Sequence, residues 1–212
     1  MNTSSDAKKR IIEAAKVAVS ELGVQKATLR AIAAEAGISI GTLYYYYPSK
    51  NDLLYDIMDS HTSESYHIAE AFKSGKIDEK VIEEGIIGFL TDKIKERIEG
   101  LDDNRILFYL FLEAIMGNEA IKTNIHKKYL LWLDSIETIV TEVFRVPRTK
   151  TSRATAIIIN AAIDGFMLQR LLEIDEGDIS TELDEVGRLL LRGNFDLYAE
   201  RIKSGKGGVK GC

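Results

Sequence analysis

The sequence predicts an all-α protein, and three observations carry that prediction. Only two prolines, Pro48 and Pro147, occur in 212 residues, so almost every position is open to a helix interior. Leu, Ile, Ala, Glu and Lys dominate the composition, and all tolerate helical geometry. Apolar residues recur at three- and four-residue intervals, with little of the alternation that marks strands. About nine helices are expected: one of some 17 residues and two short ones at the N-terminus, then a run of longer ones. At 45% hydrophobic content, a chain of this length can bury a sizeable core, in one domain or two.

The first helix is expected from about Asp6 to Leu22, with Ile11, Ala15, Ala18 and Leu22 on one face. Gly23 supplies the left-handed residue that ends it. Thr28 is placed to cap a second, short helix over 29–36, which turns its Ile32 and Ala33 inward and stops at Gly37. Ser39 caps a third helix reaching about Tyr46, and Pro48 bars its smooth continuation. Ser49-Lys50-Asn51-Asp52 then reads as a capping box that opens a fourth helix. Longer helices follow near 50–73, 78–99, 103–116, 119–145, 150–174 and 179–203. Glycines at 75, 100, 117 and 177 and the Val146-Pro147-Arg148 turn separate them. The glycine-rich end, 204–212, is expected to be a disordered tail. There is no internal repeat, and no heptad persists through the glycine breaks.

Composition narrows the function classes. Cys212 is the single cysteine, so no disulfide forms within the chain and none is expected to matter. The first ten residues are polar and lack the apolar segment of a signal peptide. The most apolar stretch, 154–167, is interrupted by Asn160 and Asp164 and is too short for a bilayer. A cytoplasmic protein with no membrane partner is expected. Net charge is −5, but unevenly placed: residues 1–50 hold seven cations against four anions, and the remainder 21 against 29. A head of +3 on a body of −8 is the asymmetry expected of a phosphate-binding module joined to something else.

The strongest pattern runs from Thr28 to Tyr44: a short helix, a glycine turn and a second short helix, which together make a helix-turn-helix. Ala33 is small enough to let the two helices cross closely. Gly37 takes the turn, Ile38 fills the joint, and Leu43 anchors the second helix to the core. That helix then offers Ser39, Ile40, Gly41, Thr42, Tyr44 and Tyr45 outward, a small and hydroxyl-bearing surface suited to a major-groove wall. Four consecutive tyrosines, 44 to 47, cannot all face inward at ~100° per residue. Tyr47 is expected in the core, Tyr44 and Tyr46 toward phosphates, and Lys50 on a phosphate as a point charge. On that basis Lys50→Ala would lower the salt dependence of DNA binding by about one phosphate.

The stretch T-L-R-x-I-A-x-x-A-G-I-S-x-G-T-L-Y-Y-Y-Y-P-S-K-x-D-L, within residues 7–54, resembles the DNA-binding domain of TetR-type regulators. It departs from the family pattern at Tyr47, where Phe is more usual, and at Tyr46, where His is common. The first change keeps an aromatic and the second keeps a hydrogen-bonding group. The resemblance implies an N-terminal three-helix DNA-binding domain over 1–50, and an effector-binding and dimerisation domain over 51–203. It implies backbone or base contacts from Thr28, Arg30, Ser39, Ile40, Gly41, Thr42, Tyr44, Tyr45, Tyr46 and Lys50. The function implied is a ligand-responsive transcriptional regulator, a repressor in preference to an activator, which binds a palindromic double-stranded operator as a homodimer.

The body carries no motif of its own. In TetR-type regulators the last two long helices of each subunit form a four-helix interface, here near 150–174 and 179–203. Ile157, Ile158, Ala161, Ala162, Gly165, Phe166 and Leu168 on the first, and Leu183, Val186, Leu189, Leu190 and Phe195 on the second, are the expected contacts. Part of that set is expected to serve the chain's own core. A pocket for a small apolar or aromatic effector would draw on Phe89, Phe108, Phe111, Glu113, Met116, Tyr129, Trp132, Ile136, Asn160, Asp164 and Met167. For any one of these, ordinary packing is the competing role.

His61, His67 and His126 are too dispersed for a metal site. No Ser-His-Asp or Cys-His set has catalytic spacing. The glycine-rich 205–210 stretch lacks the strand and helix a phosphate loop needs. Neither enzymatic activity nor a cofactor is expected. Two rivals from other classes stand beside the regulator: an architectural DNA protein that senses nothing, and a helical enzyme or carrier whose first fifty residues are a structural cap.

Overall fold

A computed structural model describes residues 3–75, 86–174, 182–187 and 189. The described residues form eight long or short helices with no strand among them: α1 (Thr3–Leu22), α2 (Leu29–Glu35), α3 (Ile40–Tyr46), α4 (Lys50–Lys73), α5 (Ile86–Glu99), α6 (Leu101–Ile115), α7 (Glu119–Phe144) and α8 (Lys150–Leu171). Residues 182–187 are also helical. The tail 204–212 and most of 179–203 lie outside the described residues, as do Leu190 and Phe195.

The chain divides into two compact units. One holds Met1–Glu64 and Gly100–Lys127; the other holds Ser65–Glu99 and Lys128–Cys212. Packing therefore partitions the chain differently from a cut at residue 50: α6 belongs with the N-terminal helices, and α4 and α7 each contribute to both units.

In the first unit α2 lies on α1 and against α3, while α6 also touches α1. The core is Ile11, Ala15, Ala18, Ile32, Leu43, Leu53, Leu54 and Ile57, all nearly or wholly shielded. Burying one such Leu or Ile is worth about 1.5–3 kcal/mol, so this set is ample to hold α2 and α3, two short helices that would not persist alone. Leu22, expected on the same face, is instead 45% exposed, and Val19 takes the inward position. Gly23 falls at the end of α1 with φ +77°, and the last turn has swung past the core there.

Each short helix starts on a side-chain cap. The Thr28 hydroxyl accepts from Ala31 N–H at 3.2 Å, and Ser39 Oγ accepts from Thr42 N–H at 3.0 Å. The box that opens α4 is reciprocal: Asp52 N–H donates to Ser49 Oγ at 3.2 Å, and Ser49 N–H donates to Asp52 Oδ2 at 2.9 Å. Gly37 makes the turn between α2 and α3 at φ +65°, a conformation that costs an L side chain about 1–2 kcal/mol.

The second unit packs α5 against α8. The N-terminus of α8 is tied to α7 through a buried carboxylate, Glu137. Ser152 Oγ donates to its Oε1 at 2.6 Å, and Arg153 Nη1 lies 3.4 Å from Oε2. Where 182–187 passes α5, a Cβ added to Gly187 would come within 2.6 Å of Thr91 Cγ2, so only glycine fits there.

Candidate DNA-reading surface and polar cluster

The helix-turn-helix places its side chains in two sets. Leu43 is fully buried and Tyr47 is 3% exposed, so the fourth tyrosine is the one in the core. Its hydroxyl donates to Asp56 Oδ2 at 2.7 Å, and the Lys8 ammonium sits over its ring at 5.4 Å. Burial, reinforced by the Asp56 carboxylate, holds the Tyr47 phenol well above its ordinary range. It stays a neutral donor at any working pH.

The outward set is Ser39, Gly41, Thr42, Tyr44 and Tyr45, all exposed, with Ile40 and Tyr46 half-buried. Tyr45 is the most open, at 83%, and its ring meets the edge of Tyr46 at 5.3 Å and 85°. Thr28 and Arg30 are exposed on α2. Ser39 and Thr42 also pair hydroxyl to hydroxyl at 2.8 Å. Both therefore combine a structural role with an outward position. Around Gly41 the nearest atom a Cβ would meet is Ser39 Oγ, at 3.7 Å, an ordinary contact, so packing within the chain does not require glycine there.

Lys50 differs from the expectation of a phosphate contact. Its ammonium donates to the main-chain carbonyls of Val24 and Gln25, the latter at 3.3 Å, and lies 5.8 Å from the Tyr109 ring. Desolvation pulls its pKa down, with Glu113 acting the other way. The physical reason is the turn after α1, whose carbonyls have no helical partner and face the first turn of α4. Lys50 thus fastens α4 to the segment that leads into α2. Arg10 does similar work unseen by the sequence reading: its Nη2 donates to Ala36 O at 2.6 Å and stands beside Gly37. An arginine on the polar side of an amphipathic helix gives no sign of such a partner.

The residues considered for an effector pocket separate between the units. Phe108, Phe111, Glu113 and Met116 belong to the first. The two rings there meet edge to face at 5.6 Å, and Met116 is 78% exposed. Phe89, Tyr129, Trp132, Ile136, Asn160, Asp164 and Met167 belong to the second. Phe89 and Ile136 remain part-exposed, while Trp132, Asn160 and Met167 are buried.

Within the second unit, four of these residues come together. Tyr129 Oη donates to Asp164 Oδ2 at 2.6 Å, and Asn160 Nδ2 donates to the same oxygen at 3.0 Å. The Trp132 ring lies 5.7 Å from Tyr129. A fifth member, Arg97 of α5, was not among the expected residues; its guanidinium sits 5.4 Å over the Trp132 ring. The sequence did hold a signal for it: Leu90, Ile94, Arg97 and Ile98 fall on one helical stripe, and a cation on an apolar stripe needs an internal partner. Burial pushes the Asp164 carboxyl up, against the pull of Tyr129, Arg97 and Asn160.

The expected interface residues on α8 are largely uncovered. Ile157 is 49% and Ile158 54% exposed; Ala161 and Leu168 are exposed, and Ala162, Gly165 and Phe166 are half-buried. On the following segment Leu189 is exposed and Val186 half-buried. Leu183 is 1% exposed, so it belongs to the core of its own chain.

A short helix pair closed by a glycine turn, with small and hydroxyl-bearing residues outward, defines a helix-turn-helix protein. Residues 11–57 match the model of bacterial regulatory proteins of the tetR family. The HTH-type transcriptional repressor KstR of Rhodococcus jostii (strain RHA1) is 40% identical over 53 residues, 25% of each chain. YvdT of Bacillus subtilis (strain 168), an uncharacterised HTH-type transcriptional regulator, is 26% identical over 122 residues, 58% of this chain and 48% of that one. The chain thus spans a quarter to a half of the length of these curated relatives. Beyond the N-terminal module, the fold is similar to that of a TetR transcription regulator from Haloarcula marismortui, with TM-score 0.62 at 21% identity, covering 91% of this chain and 98% of that one. The likeness to the tetR family model rests on this N-terminal module, residues 11–57.

Among the described residues, no helix is long and apolar enough to cross a membrane.

Proposed function

We propose that the protein is a non-enzymatic transcriptional regulator of the cytoplasm that binds a palindromic operator as a homodimer and releases it when a small apolar or aromatic effector binds. In this reading residues 1–50 read DNA, and 51–203 sense and dimerise. The observation that carries it is the division of α3: Leu43 is wholly buried while Gly41, Thr42, Tyr44 and Tyr45 face outward, within a segment that matches the family model. Such a helix fits a major groove, where small and hydroxyl-bearing side chains approach base edges and backbone. Repression is preferred because KstR, the relative sharing this module, is named a repressor.

Dimerisation is supported by the exposed apolar face of α8, where Ile157, Ile158, Ala161 and Leu168 present area that water disfavours. Two recognition helices then have to meet successive major-groove faces, about 34–36 Å apart or a multiple of that. An effector acts by favouring a dimer geometry with a different separation.

Fluorescence anisotropy with the protein's own upstream DNA tests the reading. Salt-sensitive binding that Tyr44→Phe and Thr42→Ala weaken is expected. Absence of binding at low ionic strength would favour a helical enzyme or carrier. Binding that no small molecule ever reverses would favour an architectural protein.

A further inference from the structure

The seven cations of residues 1–50 are not equally available to DNA. Four are engaged within the chain. Lys8 meets Asp56 at 3.1 Å, Arg10 the Ala36 carbonyl at 2.6 Å, and Lys16 Asp103 at 2.9 Å, while Lys50 donates to the carbonyls of Val24 and Gln25. Lys9, Lys26 and Arg30 are exposed, and their side chains have no polar partner among the described residues. An ammonium already engaged by carbonyls has little left to offer a phosphate; an open one can displace a counterion from DNA. Arg30 is already an expected contact, and of the other two Lys26 has the more defined place.

Lys26 stands on a braced turn. Its own N–H donates to Gly23 O at 3.2 Å, and Ala27 N–H donates to the same oxygen at 3.1 Å. The Lys50 ammonium holds the two carbonyls just before it. Ala27 is wholly buried, while Lys26 and Thr28 on either side of it are exposed. With extended backbone at Thr28, φ −80° and ψ 156°, this alternation sets Lys26 and Thr28 on the outer side of the chain. Thr28 caps α2, and Arg30 is exposed within it. Between Glu21 and Glu35 the sequence holds no anion, so nothing in this stretch competes for Lys26. A lysine there is a point charge on a flexible stem whose root is fixed beside the reading surface.

We propose that Lys26 is the lysine that contacts a DNA phosphate beside α2, and that Lys50 is its positioning residue, holding the turn on which it stands. This rests on the DNA-binding reading above, and it adds the residue that makes the contact.

Salt titration of DNA binding by the full chain separates the two lysines. Lys26→Ala should leave thermal melting unchanged and weaken binding to every sequence. It should lower the slope of log affinity against log salt by about 0.9 for each subunit bound. Lys26→Arg should keep the slope, because it keeps the charge. Lys50→Ala should do the reverse of Lys26→Ala, with a lower melting temperature and the same slope. A methylphosphonate scan of a duplex that the chain binds tells a contact from a general field. Neutralising one particular phosphate per half-site should weaken the unaltered chain and leave Lys26→Ala indifferent. A slope that Lys26→Ala leaves unchanged overturns the proposal alone, as does a Lys26→Ala chain still sensitive to every phosphate that the unaltered chain senses. Absence of salt-sensitive binding by the unaltered chain sinks the DNA-binding reading, and the proposal with it.

Discussion

Lys50 shows what a motif gives and what it withholds. Its place three residues after Tyr47, in the first turn of α4, was legible from spacing. Its partners were not, because they are main-chain carbonyls 25 and 26 residues away that only the folded turn after α1 presents. The consequence is measurable. Lys50→Ala should lower the unfolding free energy in the absence of DNA by about 1–2 kcal/mol, since charge-assisted hydrogen bonds to buried-side carbonyls are lost. Because the ammonium is engaged by those carbonyls, the salt slope of DNA binding should stay at its starting value. A slope reduced by about one with unchanged stability would return Lys50 to a phosphate. Arg145 offers a second residue-scale case: it closes α7 at φ +51°. Arg145→Gly should gain roughly 0.5–1 kcal/mol in chemical denaturation, because glycine adopts that conformation without a Cβ clash.

At the scale of elements, the short helices were the most readable part of the chain. Thr28, Gly37, Ser39 and the Ser49–Asp52 box act within four residues of themselves, so local sequence is sufficient to place them. Ser39 also allows capping and reading to be separated. Ser39→Ala should cost about 1 kcal/mol of stability through the lost cap. Ser39→Asp should keep the cap yet weaken DNA binding, because it sets a carboxylate against the phosphates; anisotropy and thermal melting together distinguish these. The longer helices were placed from glycine breaks, but which of their faces meet was not legible. Arg97, Tyr129, Asn160 and Asp164 come from three helices up to 67 residues apart, and nothing in a periodic pattern says that three polar residues will share one partner. The buried carboxyl at their centre gives a pH signature. Asp164 is raised above the ordinary aspartate range, so the folded state holds its proton more tightly than the unfolded chain does. That contribution to stability is complete below the ordinary range and is lost as pH rises through the raised value. Melting temperature followed across that window should fall in the unaltered protein and be flatter in Asp164→Asn.

The whole molecule was legible in its all-α class, and the sequence shows a basic head and an acidic body, while its division into compact units was not legible. A cut at residue 50 follows the motif; packing instead joins α6 to the N-terminal helices, through contacts such as Lys16 with Asp103 at 2.9 Å. The cut proposed for function and the cut made by packing therefore fall at different places. The exposed apolar face of α8 is the surface proposed for assembly. Ile158→Glu, at a position already 54% exposed, should leave each subunit folded by circular dichroism, yet sediment as a monomer and bind DNA far more weakly. A dimer that survived this change would move the interface elsewhere.

Selection of bound sequences from random double-stranded DNA, with the full chain at moderate salt, bears most directly on the central claim. A dimer that presents two copies of the Gly41–Tyr45 surface should enrich a palindrome whose half-sites lie about one helical turn, 34–36 Å, or a multiple of it apart. Enrichment of no sequence, or of one unchanged when Thr42 and Tyr44 are replaced by alanine, would contradict it.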